Sequence, residues 1–143
     1  MVTRRKVVLA LGAGALAPLA SFAQQPAKIA RIGVLGVTTA AGYARQIEAM
    51  RTGFRDLGYV EGRNIVIEYR WADSQYDRLP ALAAELIRLQ PDVVITSGQG
   101  TRVLKEATTT IPIVMAVGTD TVIASLARPG GNITGSTAFT PEL

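Results

Sequence analysis

Residues 29–37 read IARIGVLGV, a short apolar run rich in β-branched residues, with Pro26 before it and the loop Thr38-Thr39-Ala40-Ala41-Gly42 after it. Its length and composition mark a buried strand. The period changes at Tyr43. Ile47, Met50, Phe54 and Leu57 are spaced three, four and three apart, which puts them on one face of a helix, and Gly58 supplies the left-handed residue that ends it. Residues 63–71 (RNIVIEYRW) then alternate Ile65, Ile67, Tyr69 and Trp71 against Asn64, Val66, Glu68 and Arg70. That two-residue period is a second strand with one better-buried face.

The same alternation of elements continues along the chain. Asp77 is placed to cap a helix with Pro80 in its first turn, where a missing amide hydrogen costs nothing, and with Leu79, Leu82, Ala83 and Leu86 facing inward and Leu89 a further candidate for that face. Pro91 stops it. Asp92 to Ser97 reads as a third strand, about Thr101 to Thr108 as a helix, and Ile111 to Val117 as a fourth strand with its proline near the start. Thr121 to Ala127 suggests one more short helix, and Asn132 to Thr137 an extended piece. Strands alternating with amphipathic helices predict an α/β fold: a doubly wound, mostly parallel sheet with helices on both faces. Ligands of such sheets gather outside the carboxyl ends of the strands. Four loops are therefore candidate site walls: Thr38 to Gly42, Ala72 to Gln75, Ser97 to Gly100 and Gly118 to Thr121.

The 143 residues are 48% hydrophobic and 18% charged, with a formal charge of +4 and no cysteine or histidine. The missing residue types exclude thiol nucleophiles, disulfides, Cys/His zinc sites and triads with an imidazole base. The positive charge invites a nucleic-acid or membrane reading, but much of it sits at one end. Arg4, Arg5 and Lys6 precede an apolar run from Val7 to Ala17, and Ser21 and Ala23 are small residues at the minus-three and minus-one positions of a cleavage site. This is an export signal, expected to be cut after Ala23. Its eleven apolar residues would reach about 16 Å as a helix, roughly half of the ~30 Å hydrocarbon core, which disfavours an uncleaved anchor. Thr3-Arg4-Arg5-Lys6-Val7-Val8 resembles the twin-arginine export signal, although Val7 stands where that pattern prefers Phe; the general secretory route is the equal alternative. Without residues 1–23 the chain carries twelve basic and eleven acidic residues, net +1. The remaining arginines are scattered among acids with little aromatic interleaving, so no nucleic-acid partner is expected.

Few residues carry chemistry. Ser97-Gly98-Gln99-Gly100-Thr101 lies between a strand and a helix, where backbone amides and the helix dipole can hold a phosphate or carboxylate, or where the glycines simply make a tight turn. A dinucleotide motif would need a glycine at Val103, and a phosphate loop would need Gly-Lys-Ser/Thr. Gly118-Thr119-Asp120 offers a hydroxyl and a carboxylate at a strand end, suited to a ligand ammonium or hydroxyl, or alternatively to capping the next helix. Trp71 and Tyr76 flank the second loop, either stacking on a ligand or packing the fold. Asp73 and Asp77 are four apart with no positioned partner for acid/base work. No nucleophile, base and orienting group occur together, and no cofactor or metal is implied. From the residues alone the reading is an exported α/β domain that binds a small molecule.

Three segments carry more: LGYVEGRNIVIEYRWA (residues 57–72), YDRLPALAAELIRL (76–89) and SLARPGGNITG (125–135). Together with the export signal they resemble the ABC transporter substrate-binding protein family of the tryptophan/tyrosine transport type. The resemblance implies a two-lobed type I periplasmic binding protein, not an enzyme, that captures a small molecule such as an amino acid or aromatic compound for delivery to an inner-membrane permease. It places ligand contacts after the first, third and fourth strands, here Thr38 and Thr39; Ser97, Gly98 and Gln99; and Thr119 and Asp120. The family commonly has Asp-Pro-Val and a longer glycine-containing turn where this chain has Asp120-Thr121-Val122-Ile123, a departure that weakens the carry-over to the last loop. The family is also roughly twice this long. The implied organisation is an export signal over residues 1–23, an amino-terminal lobe over 24–136, and at 137–143 the start of a crossover to a second lobe, approached through Gly130-Gly131-Asn132. The alternatives are an exported nucleotide- or flavin-dependent enzyme on the same sheet, and a ligand-sensing module docking to a membrane receptor.

Overall fold

The computed structural model describes residues 28–118 and 131–137. In chain order the elements are β1 (Ala30–Gly36), α1 (Ala44–Asp56), β2 (Ile65–Trp71), α2 (Leu79–Arg88), β3 (Val93–Thr96), α3 (Gln99–Ala107), β4 (Ile113–Gly118) and β5 (Ile133–Thr137). Every strand pair is parallel, in the order β2-β1-β3-β4-β5. The doubly wound sheet expected from the alternation of periods is what the chain forms. The strand order reverses at β1, so crossovers leave it in opposite directions and their helices fall on opposite faces. The export signal with its cleavage site, the helix expected over Thr121 to Ala127, and residues 138–143 lie outside the described residues.

Burial divides along the same line. On one face Ile32, Val34, Ile65 and Ile67 are covered by Ile47, Met50 and Phe54 of α1. On the other, Leu35, Val94, Ile113 and Ile133 pack with Leu79, Leu82, Ala83 and Leu86 of α2 and Leu104 of α3. The α2 side chains are those its 3.6-residue period put inward, except Leu89, which follows the helix and is only half-buried. Gly33 makes this second layer tight, since a Cβ there would stand 3.2 Å from Val94 Cγ2 and 3.5 Å from Leu86 Cδ2. No helix among the described residues is long and apolar enough to cross a membrane.

Helix ends follow their local chemistry, with one correction. Gly58 (φ +84°) closes α1 as expected. Its N–H donates to the Arg55 carbonyl at 2.9 Å and that of Tyr59 to the Phe54 carbonyl at 2.8 Å, the paired bonds that satisfy a helix's last carbonyls. Asn64 then ties the connection to β2 by accepting from the Val60 N–H at 2.7 Å and donating to the Gly58 carbonyl at 2.9 Å. Asp77, in contrast, does not cap α2. It lies inside a single 3-10 turn, Tyr76–Arg78, that runs directly into the helix, and no side-chain cap is made. Pro80 occupies the first turn as expected. α3 begins at Gln99, two residues earlier than its apolar spacing suggested.

Asp92 joins the starts of two adjacent strands. Its carboxylate accepts from the Arg31 N–H at 2.8 Å and pairs with Lys28. The Lys28 hydrogen bond first, and then the Arg31 amide, hold the Asp92 pKa below the usual carboxylate value. A depressed folded-state pKa means that the stabilisation is present above the unfolded-state value, about 3.9, and is lost as pH falls through the folded one. Acid unfolding followed by circular dichroism is therefore expected to show a component in that window that Asp92→Asn removes. Both partners are solvent-exposed, so the component is small and shrinks with added salt.

Candidate functional site

In a parallel sheet every strand ends on the same edge, and here backbone and side-chain hydrogen bonds knit the loops of that edge together. The Ser74 N–H donates to the Val37 carbonyl at 2.9 Å and the Asp73 N–H to the Thr38 carbonyl at 3.3 Å, joining the loops after β2 and β1. Asp73 and Ser74 both hold left-handed conformations (φ +53° and +62°) to make this turn, and Asp73 pairs with Arg78 at 3.0 Å. Inside the sheet the buried Thr96 hydroxyl donates to the Leu35 carbonyl at 2.8 Å, linking the ends of β3 and β1. Above that bond, Tyr43 Oη and Ser97 Oγ meet at 2.7 Å.

Of the residues expected at the site, Thr38 is half-buried, while Thr39, Gly98 and Gln99 are exposed. The Thr39 hydroxyl is engaged locally, accepting from the Gly42 N–H at 3.1 Å in the turn that enters α1. Gly98 has φ +52° and ψ −129°, a conformation that side chains avoid, and it lets the chain turn at once from β3 into α3. The N–H groups of Gly100 and Thr101 are tied back to the Ser97 and Gly98 carbonyls at 3.1 Å each. The loop is thus a tight glycine turn whose exposed corner, Gly98 and Gln99, sits at a helix start. Thr119 and Asp120 lie outside the described residues.

Sequence reasoning missed Tyr43. Its ring stacks on Trp71 at 5.6 Å between centroids, and Trp71 stacks on Tyr69 at 5.8 Å with an interplanar angle of 12°. The Arg51 guanidinium lies over the Tyr69 ring, 5.7 Å from its centroid, with Arg51 Nε on the Glu61 carboxylate at 2.9 Å. Burial raises the Tyr69 pKa above its ordinary value, so the ring beneath the cation stays a neutral phenol. The packing reading of Trp71 is met by its ring contacts with two tyrosines. Tyr76 is half exposed beside the same loops.

Between α1 and the ends of β1 and β3 lies a cavity of about 240 Å³, lined by Gly36, Tyr43, Ile47, Trp71, Ile95 and Ser97 among others. The wall is mostly apolar; besides Trp71, the lining residues that carry polar side-chain groups are Tyr43, Gln46, Thr96 and Ser97. Complete small-molecule sites run from roughly 300 to 1,000 Å³, so this edge encloses only part of one. Among the described residues no cluster of acidic side chains is assembled to hold a metal.

A family model described as ABC transporter substrate binding protein matches residues 31–140. The tyrosine-binding protein of Clostridioides difficile is 30% identical over 89 residues, which are 59% of this chain and 26% of that protein. A conserved domain protein from Vibrio cholerae superposes with a TM-score of 0.73 at 28% identity, covering 80% of this chain and 40% of that one. The ligand-free, open structure of a substrate-binding protein with adhesive properties from Clostridium difficile follows at TM-score 0.72 and 19% identity, covering 78% and 40%. An ABC domain in complex with L-Trp from Streptococcus pneumonia gives 0.69 and 24%, covering 76% and 38%. At such identities the last two speak for the fold alone. This chain spans 26% of the curated relative and 38% to 40% of the solved ones.

Proposed function

The chain belongs to the ABC transporter substrate-binding protein family, and from that premise we propose that it forms one lobe of an exported receptor for an aromatic amino acid. The family match over residues 31–140 carries the reading. The tyrosine-binding relative at 30% identity supports the ligand class. In this proposal Arg4, Arg5 and Lys6 address the chain out of the cytoplasm, cleavage follows Ala23, and the ligand is delivered in the periplasm to an ABC permease. Residues 24–136 are the lobe, and 137–143 begin the crossover toward a second one.

The proposed ligand contacts are Thr38, Thr39, Ser97, Gly98, Gln99, Thr119 and Asp120. Exposed Gly98 and Gln99 at the start of α3 suit the polar end of a ligand, and the apolar wall beside Ser97 suits a ring. Closure of a second lobe normally supplies much of a ligand's buried surface, so one lobe is expected to hold its ligand weakly. Titrating the chain with L-tyrosine and following amide chemical shifts is expected to give saturable changes at Thr38, Thr39 and Ser97 to Gln99, with half-saturation far above the micromolar range. Shifts absent from both loops would overturn the site assignment. Micromolar affinity for this chain alone would overturn the one-lobe reading.

A further inference from the structure

We propose that Tyr43 is a positioning residue that sets the Ser97 hydroxyl for ligand, and that Trp71 relays the state of this contact to fluorescence. The proposal rests on the assignment of Ser97 to the ligand site made above. A serine hydroxyl has three staggered side-chain rotamers and one rotatable hydrogen, so by itself it does not point anywhere in particular. Tyr43 Oη at 2.7 Å selects one rotamer. With Tyr43 as donor, the Ser97 hydrogen is left to donate to an acceptor on the ligand.

Tyr43 can do this because it is itself held. Its backbone N–H bonds to the Thr39 and Ala40 carbonyls at 3.3 and 3.2 Å, which fixes it to the loop after β1. Its ring rests on Trp71, which rests on Tyr69, which rests on Arg51, and Glu61 anchors Arg51 near the opposite end of β2. Four planar groups from α1 and β2 therefore form one column whose top is the Tyr43 hydroxyl. Tyr43 touches two of the proposed ligand loops at once, through backbone to Thr39 and through side chain to Ser97. Trp71 is the only tryptophan in the chain, and it is in direct ring contact with the residue that holds Ser97.

Tyr43→Phe keeps the ring and its stack while removing the hydroxyl, and Ser97→Ala removes the other end of the contact. In the ligand-free chain, amide hydrogen exchange at Gly100 and Thr101 is expected to quicken about 3- to 10-fold in either variant, the effect of one net hydrogen bond, with the double variant no faster than either single one. L-tyrosine should change Trp71 emission, excited where L-tyrosine does not absorb, in the wild type but not in Tyr43→Phe. The dissociation constant should rise by a similar factor in that variant. Exchange at wild-type rates in Tyr43→Phe overturns the proposal whether or not anything binds. An unchanged affinity, or an emission response retained in Tyr43→Phe, overturns it as well. Where the wild type gives no response to L-tyrosine by any probe, the ligand reading falls while exchange alone decides the positioning role.

Discussion

Leu86→Ala is expected to lower the stability of the fold by about 2–5 kcal/mol, the range for a large-to-small change in a core that cannot collapse around the gap. Leu86 is fully buried, packed with Leu82, Leu35 and Val94 between α2 and the sheet, and its Cδ2 reaches toward Gly33, where β1 has no side chain to move inward. Neighbours on a glycine strand have nothing with which to fill the vacated volume. Set against the roughly 5–15 kcal/mol that holds a typical domain folded, the loss is large enough to lower the urea midpoint strongly. Leu89→Ala, one turn-end later and only half-buried, is the comparison and should cost much less. Equal effects at the two positions would mean that α2 does not seat as described.

Gly36→Ala is expected to have the next largest effect, and for a different reason. A Cβ at residue 36 would lie 2.2 Å from both Cε3 and Cζ3 of Trp71, so the indole has to leave its place over the end of β1. The ring cannot move alone, because Tyr43 and Tyr69 both stack on it. Two stacked contacts at about 0.5–1.5 kcal/mol each are at stake, together with overpacking strain of about 1–3 kcal/mol. A lowered thermal midpoint with Trp71 emission shifted to the red, as the indole becomes wetter, is the expected result. Gly33→Ala is the control, since its nearest neighbour, at 3.2 Å, is a valine methyl that needs to give by only a few tenths of an ångström. Emission unchanged in Gly36→Ala would mean that the column is not anchored on β1.

The fold was legible in the sequence wherever a residue's role depends on its immediate neighbours. The switch from the run at 29–37 to the three-and-four spacing of Ile47, Met50 and Phe54 and back to the alternation of Ile65, Ile67 and Tyr69 located β1, α1 and β2 to within about two residues. Gly58 and Pro80 did their expected work because a left-handed cap and a first-turn proline are decided by one residue's own geometry. Asp77 failed as a cap for the complementary reason. A cap needs the helix to start just after it, and the 3-10 turn at Tyr76–Arg78 moved that start.

The candidate site was less legible. The edge of the sheet and its loops followed from the parallel topology, and Ser97 could be placed there from its position after a strand. Thr39 was placed there by the family resemblance, and nothing in the sequence around it showed that its hydroxyl accepts from the Gly42 amide. The partner of Ser97 had no local signal at all. Tyr43 lies 54 positions away, and before folding it is one aromatic among several at the start of an amphipathic helix.

Periodicity, glycine and proline positions and the motifs at 57–72, 76–89 and 125–135 are properties of chain order, and they sufficed for the α/β class, the parallel sheet and the family. Which rings stack on Trp71, what a threonine hydroxyl bonds to, and which ring holds Ser97 depend on distances of a few ångströms between segments that only the crossovers bring together. Those were decided by packing: side-chain contacts and hydrogen bonds fall away over an ångström or so, and sequence spacing carries no information at that resolution once the residues lie on different elements.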